Sequence, residues 1–125
     1  MKLRIENNAV RFRISGEELA RLADESGLEA ATQIFGRDGA SVEGEFIYAL
    51  AVDREGGPTR CRIEPGYIMF ILDSGAMENL EKSGSYVFLR ESVAAGGEAK
   101  RFMAYVEIDK PRKRRGRPED WLAGP

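Results

Sequence analysis

The sequence predicts an α+β domain in which a strand–strand–helix–strand–strand unit occurs twice. Two observations predict it. The chain matches itself without a gap at a shift of 58 residues, and in each half the apolar spacing switches from period 2 to helical and back. The shift lays Arg4-Ile5-Glu6 on Arg62-Ile63-Glu64, Val10 on Ile68, Phe12 on Phe70, Ile14 on Leu72, Leu19 on Met77 and Leu22 on Leu80. After a loop two residues shorter in the second half, residues 46–53 lie on residues 102–109.

In the first half, Leu3 and Ile5, then Val10, Phe12 and Ile14, alternate with charged residues, which is the pattern of half-buried strands. Asn7-Asn8 between them tolerates positive φ and suits a tight hairpin turn. Ser15 opens a helix: its hydroxyl can accept from a free backbone N–H while Glu18 reaches back, a capping box. Leu19, Leu22 and Ala23 recur at helical spacing, and Gly27 is expected to end the helix in the left-handed conformation. Residues 28–35 and 45–53 read as two more strands, joined by Gly36-Arg37-Asp38-Gly39.

The second half repeats the design. Its hairpin turn is Pro65-Gly66, its helix cap is Asp73, and its apolar helical positions are Met77 and Leu80, with Gly84 at the end. Strands are expected over residues 86–93 and 100–109, with Ala95-Gly96-Gly97 between them. Eight strands and two short helices would form an antiparallel curved sheet or an open barrel, pseudo-twofold, with the helices covering or plugging one side. The reading is one domain over residues 1–109 (first unit 2–53, second unit 60–109), followed by a basic tail with proline and glycine over residues 110–125.

Composition agrees with one globular unit. A chain of 125 residues that is 42% apolar and 9% aromatic can bury roughly two thirds of its unfolded surface without metal or disulfide support. Cys61 is the lone cysteine, which fits a reducing compartment. The N-terminus lacks the apolar segment of a signal peptide, and the longest apolar run, residues 67–72, is far too short to span a bilayer. No membrane partner and a cytoplasmic location are expected. The net charge of −2 conceals an asymmetry: residues 110–117 hold six of the 19 basic residues, leaving a net −6 on residues 1–109.

Lys2-Leu3-Arg4-Ile5, Asn7-Asn8 and residues 10–14 resemble the opening of an uncharacterised family of small bacterial proteins, which begins K-I-R-I, continues N-S-I-R and R-L, and enters a short helix. Glu18-Leu19 through Leu22, Thr32, Phe35, residues 46–50, and Val106-Glu107 with Asp109 are similar too. Pro111-Arg112, Glu119-Asp120 and Pro125 echo the family's acidic end. The chain departs at Ala9, where the family has serine, and in the basic run 112–117. The resemblance implies a single bacterial cytosolic domain and no assigned activity.

The chemistry available is limited. There is no histidine, which removes the usual general base near neutral pH and any Ser–His or Cys–His dyad. Cys61 alone cannot build a thiolate metal site, and its place opposite Leu3 in the self-match reads as a buried small apolar residue. Glu17 and Glu18 complement a helix dipole. Asp53 and Asp109 read as turn formers, with a shared cation site as the alternative. No catalytic residue, no cofactor and no metal site is expected.

Two surfaces stand out. Lys2, Arg4, Arg11 and Arg13 all point away from the expected core, so they need either acidic neighbours such as Glu29 or Glu43, or an external anion or acidic partner. In the second half, Arg11 and Arg13 are replaced by Met69 and Ile71, which with Tyr67 make a strand apolar on both faces. Such a strand is covered either from within the chain, by a helix or Trp121, or by a partner subunit. A third feature lies in the tail, where Arg115-Gly116-Arg117-Pro118 resembles the core of an AT-hook. There glycine lets arginines reach the floor of the DNA minor groove, with Lys113 and Arg114 flanking. Glu119 and Asp120 oppose that reading.

The expected function is therefore a non-catalytic binding or interaction module, with an unknown protein or a second copy of itself as partner. The alternative is a DNA-associated accessory protein using the tail, and the third reading is a small enzyme with a non-histidine mechanism.

Overall fold

The computed structural model describes residues 1–93 and 99–109, with side chains of 89–93, 99 and 100 excepted. Its elements follow the expected order. They are β1 (Lys2–Glu6), β2 (Ala9–Ile14), α1 (Gly16–Glu25), β3 (Gly27–Phe35), β4 (Val42–Asp53), β5 (Arg60–Glu64), β6 (Tyr67–Asp73), α2 (Ser74–Ser83), β7 (Ser85–Val93) and β8 (Ala99–Ile108). The fold is α+β, with ββαββ in each half.

Local signals act where the residues place them. Asn7 and Asn8 both take positive φ (47° and 61°), and Gly66 does so at 71°. Ser15 Oγ accepts from Glu18 N at 3.1 Å, and Glu18 Oε1 accepts from Ser15 N at 3.0 Å, completing the capping box. Asp73 Oδ1 accepts from Ala76 N at 2.7 Å. One expectation is corrected. The left-handed residue that ends α1 is Ser26, not Gly27, which already belongs to β3. Serine tolerates this position because Arg54 completes the cap: its Nε donates to Ser26 Oγ at 3.0 Å and its Nη2 to the Ala23 carbonyl at 2.7 Å. Ser26 is the residue that the 58-residue shift lays on Gly84, the left-handed cap of α2.

Both caps should therefore matter equally. Ser15→Ala and Asp73→Ala are each expected to cost about 1 kcal/mol, measured by urea unfolding. A loss near zero at either position would mean that the cap is replaced by water or a neighbour.

Strand pairing departs from a single antiparallel sheet. There are two four-stranded mixed sheets, open rather than closed into a barrel: sheet A in the order β1-β2-β8-β7 and sheet B in the order β3-β4-β6-β5. Each hairpin is antiparallel, as expected, but β2 runs parallel to β8 and β4 parallel to β6. The physical reason is the helices. α1 follows β2 in sheet A and leads to β3 in sheet B, while α2 carries the chain back from β6 to β7. Each sheet thus combines the first hairpin of one half with the second hairpin of the other, and the joining strands are separated by a crossover long enough for parallel pairing.

The registers of the two sheets correspond. Phe12 lies between Leu3 and Val106, and Phe70, 58 residues later, lies between Cys61 and Leu50. The inner faces and the apolar sides of the helices carry the core: Phe12, Ile14, Leu22, Leu50, Phe70, Leu72, Met77, Leu80 and Val106 are all almost wholly buried. Phe12 and Phe70 meet with ring centroids 6.0 Å apart, and Phe70 also reaches Tyr86 (6.3 Å) and Phe88 (5.9 Å). Phe70 therefore ties one sheet to the other. Cys61 packs against this core from an edge strand and is half-buried.

Candidate functional site

Because side chains alternate across a strand, the residues opposite the core form the outer faces. On sheet A the register sets Lys2 beside Arg13 and Arg13 beside Glu107; in the next row it sets Arg4 beside Arg11 and Arg11 beside Tyr105. All four cations that the sequence singled out, Lys2, Arg4, Arg11 and Arg13, are thus brought together on one face. Their acidic neighbours are not Glu29 or Glu43. β3 and β4 belong to the other sheet, and the pairing comes from β8 and its end, and from Glu6 at the end of β1. Arg13 Nε donates to Glu107 Oε1 at 2.7 Å, Lys2 Nζ to Asp109 Oδ2 at 3.3 Å, and Arg4 pairs with Glu6 at 2.8 Å. Arg11 stands 3.7 Å from the same Glu107 oxygen that Arg13 already occupies.

Among the described residues, four cations thus face three carboxylates, and one carboxylate is shared. Arg11 is the cation left with the weakest partner, and its side chain is 40% exposed. It lines a depression of about 310 Å³ together with Arg4, Glu6, Asn7, Ala9 and Tyr105. A second depression of about 320 Å³ lies among Lys2, Leu3, Arg4, Arg11 and Arg13. The arrangement is a shallow, basic, aromatic-edged surface. It can accept a carboxylate or phosphate oxygen, because guanidinium donors are strongest toward charged acceptors.

Asp53 and Asp109, read as turn formers or a shared cation site, are each held by a cation of their own. Asp53 Oδ1 accepts from Glu55 N at 2.9 Å and Oδ2 from Arg60 Nη1 at 3.0 Å. The Glu55 N–H first, and then the Arg60 guanidinium, hold its carboxyl below the usual value. Asp109 is paired with Lys2. Each is a strand-end carboxylate bound to the cation that starts the neighbouring edge hairpin, so the two ion pairs are counterparts in sheets A and B. Among the described residues, no three Cys, Asp or Glu side chains come together as a metal would require.

Burial pulls the Glu18 carboxyl up, but hydrogen bonds from the terminal ammonium and the Ser15 N–H outweigh it and hold the group below the usual value. Its role is that of a cap.

The outer face of sheet B is the counterpart of the basic face and has a different chemistry. Tyr67, Met69 and Ile71 of β6 are half-buried there, beside Ile47, Ala49 and Ala51 of β4. β6 is a central strand, flanked by β4 and β5. Its other side, Ile68, Phe70 and Leu72, is the core. The Arg62 guanidinium lies 6.0 Å from the Tyr67 ring centre and screens part of the outer side. The sequence signal for this face was the loss of charge at positions 69 and 71. What it missed is that β4 contributes alanines beside them, because pairing between the halves is not visible in a hairpin pattern.

Lys113, Arg114, Arg115 and Arg117 lie outside the described residues, as do Trp121 and the Ala95-Gly96-Gly97 loop. No helix among the described residues is long and apolar enough to cross a membrane.

Comparison with known proteins agrees with the family character of the sequence. No curated protein and no solved structure matches the chain. A family model covers residues 1–110, which includes every described strand and helix and ends where the basic run begins. The chain belongs to a family of unknown function, DUF7009.

Proposed function

We propose that the chain is a non-catalytic binding module and that the outer face of sheet A is where it holds an anionic group of a protein partner. The observation that supports this is the sharing of Glu107 between Arg11 and Arg13. One carboxylate cannot give two guanidiniums a full bidentate contact, and the one 3.7 Å away retains donors facing the depression it lines. Tyr105 gives that depression an aromatic wall with a polar tip, the kind of side chain that suits a half-wet binding surface. The lack of any histidine favours binding over proton-transfer chemistry.

The test is titration of the purified chain with a glutamate-rich peptide and, separately, with inorganic phosphate, followed by calorimetry or by amide and guanidinium NMR shifts. Binding that weakens with salt and falls roughly tenfold or more in Arg11→Ala is expected, because exposed charge contacts are screened and a charged hydrogen bond is worth 1.5–3 kcal/mol at most. Titration without any response, or a response indifferent to Arg11→Ala, would remove this face as the site.

A further inference from the structure

The outer face of sheet B has a residue order that complements itself. Reading across its four strands, one row runs Glu29 on β3, Ala49 on β4, Met69 on β6 and Arg62 on β5. The row therefore reads acid, small, large, base. Turned about an axis parallel to the strands, a second copy presents the same row in reverse. Glu29 then meets Arg62 of the other copy at both ends, and Met69 meets Ala49 twice in the middle. The neighbouring rows agree. Gly27-Ala51-Ile71-Arg60 sets Ile71 over Ala51, and Ala31-Ile47-Tyr67-Glu64 sets Tyr67 over Ile47.

We infer that this face is the interface of an isologous dimer, with the twofold axis running along the strands between β4 and β6. The partner is a second copy of this chain. The alternative face-to-face twofold, with its axis across the strands, places Glu29 against Glu29 and Arg62 against Arg62; it also sets Arg60 against Glu64, but Asp53 and Arg62 already hold those two, so the charges favour the first arrangement. Shape selects it too. A depression of about 370 Å³ opens beside Ala51, lined by Met69, Glu29 and the α1 residues Arg21 and Glu25, with Ala49 buried at its floor. Met69 thus walls its own hollow and fills the partner's, a flexible side chain suited to an irregular gap. Glu29 makes no ion pair with any described residue, and Arg62, 60% exposed, holds Glu64 two residues on and lies over the Tyr67 ring. A guanidinium so exposed keeps donors for a further charge. Packed sheets with roughly aligned strands are an ordinary arrangement for such faces.

The interface is independent of whatever sheet A binds. Burying the apolar face leaves both basic faces exposed on opposite ends of the dimer, so a multivalent anionic partner would be gripped twice.

The experiment is sedimentation velocity on the full chain and on Glu29→Arg, Arg62→Glu and the double reversal. The native chain is expected to be a dimer at high micromolar concentration. Each single reversal creates two like-charge contacts by symmetry and should raise the dissociation constant roughly 100-fold. The double reversal should restore the dimer. Circular dichroism checks folding, which two exposed substitutions should leave intact. A native monomer, or single variants that dimerise as tightly as the native chain, would overturn the proposal. So would a monomer whose only tryptophan, Trp121, shifts its emission to the red when Met69 is changed to glutamate, since the face would then be covered by the chain's own C-terminal segment.

Discussion

Replacing Phe70 with alanine should destabilise the chain by about 3–5 kcal/mol, measured by urea unfolding. The residue is fully buried and touches three aromatic rings, Phe12, Tyr86 and Phe88, so truncation leaves a cavity that rigid ring neighbours fill poorly. Tyr86 and Phe88 belong to sheet A, while Phe70 belongs to sheet B. Its loss therefore weakens the contact between sheets, not only the packing within one. A domain stability of about 5–15 kcal/mol leaves little margin for such a change. Phe12→Ala is a sharper control. It occupies the corresponding register and is equally buried, but among the described aromatic contacts it has Phe70 alone. Phe12→Ala should thus cost less than Phe70→Ala. Equal losses would show that the aromatic cluster contributes nothing beyond buried area.

That asymmetry was hidden in the sequence, where Phe12 and Phe70 look interchangeable. The periodic signals are local, and local structure was legible: hairpin turns at Asn7-Asn8 and Pro65-Gly66, caps at Ser15 and Asp73, and apolar positions 58 residues apart. What joins the halves was not. The β2·β8 and β4·β6 pairings depend on where each helix delivers the next hairpin, and nothing in the alternation of strand residues encodes that. That Ser26 and not Gly27 ends α1 has a similar origin. Glycine is the usual left-handed residue, but Arg54, 28 residues away, completes the cap and makes serine sufficient.

The candidate site shows the same division. That Lys2, Arg4, Arg11 and Arg13 share a face follows from alternation and one hairpin. Glu6 holds Arg4 on its own strand, but the acids that meet Lys2, Arg11 and Arg13 follow from the parallel pairing with β8, so Glu107 and Asp109 stand where Glu29 and Glu43 were expected. The same pairing brings Tyr105 beside Arg11 and supplies an aromatic wall of the depression. Across the molecule, the corresponding rows carry Met69 and Ala49 in place of Arg11 and Tyr105. The two outer faces thus share a backbone register and differ in chemistry, one suited to an anion and the other to an apolar surface.

Glu107→Gln separates a structural from a binding role for the arginines. The substitution keeps the shape of the side chain and removes the carboxylate that, among the described residues, faces both Arg11 and Arg13. If those arginines exist to bind an anion, Glu107 competes with the ligand, and deleting its charge should raise affinity for the glutamate-rich peptide. One unit charge removed at roughly 5 Å in a largely hydrated setting is worth about 1 kcal/mol, so a gain of about 5–10-fold is expected. Stability should fall by less than about 1 kcal/mol, because both arginines are two-fifths exposed or more and such pairs are weak. If the arginines serve only the sheet, the outcome reverses. Glutamine would then leave two like charges side by side on β2 with no counter-ion, the midpoint of urea unfolding would fall, and peptide affinity would not rise. Measuring both quantities on one variant decides the matter, since a binding face and a structural ion pair predict changes of opposite size in the two.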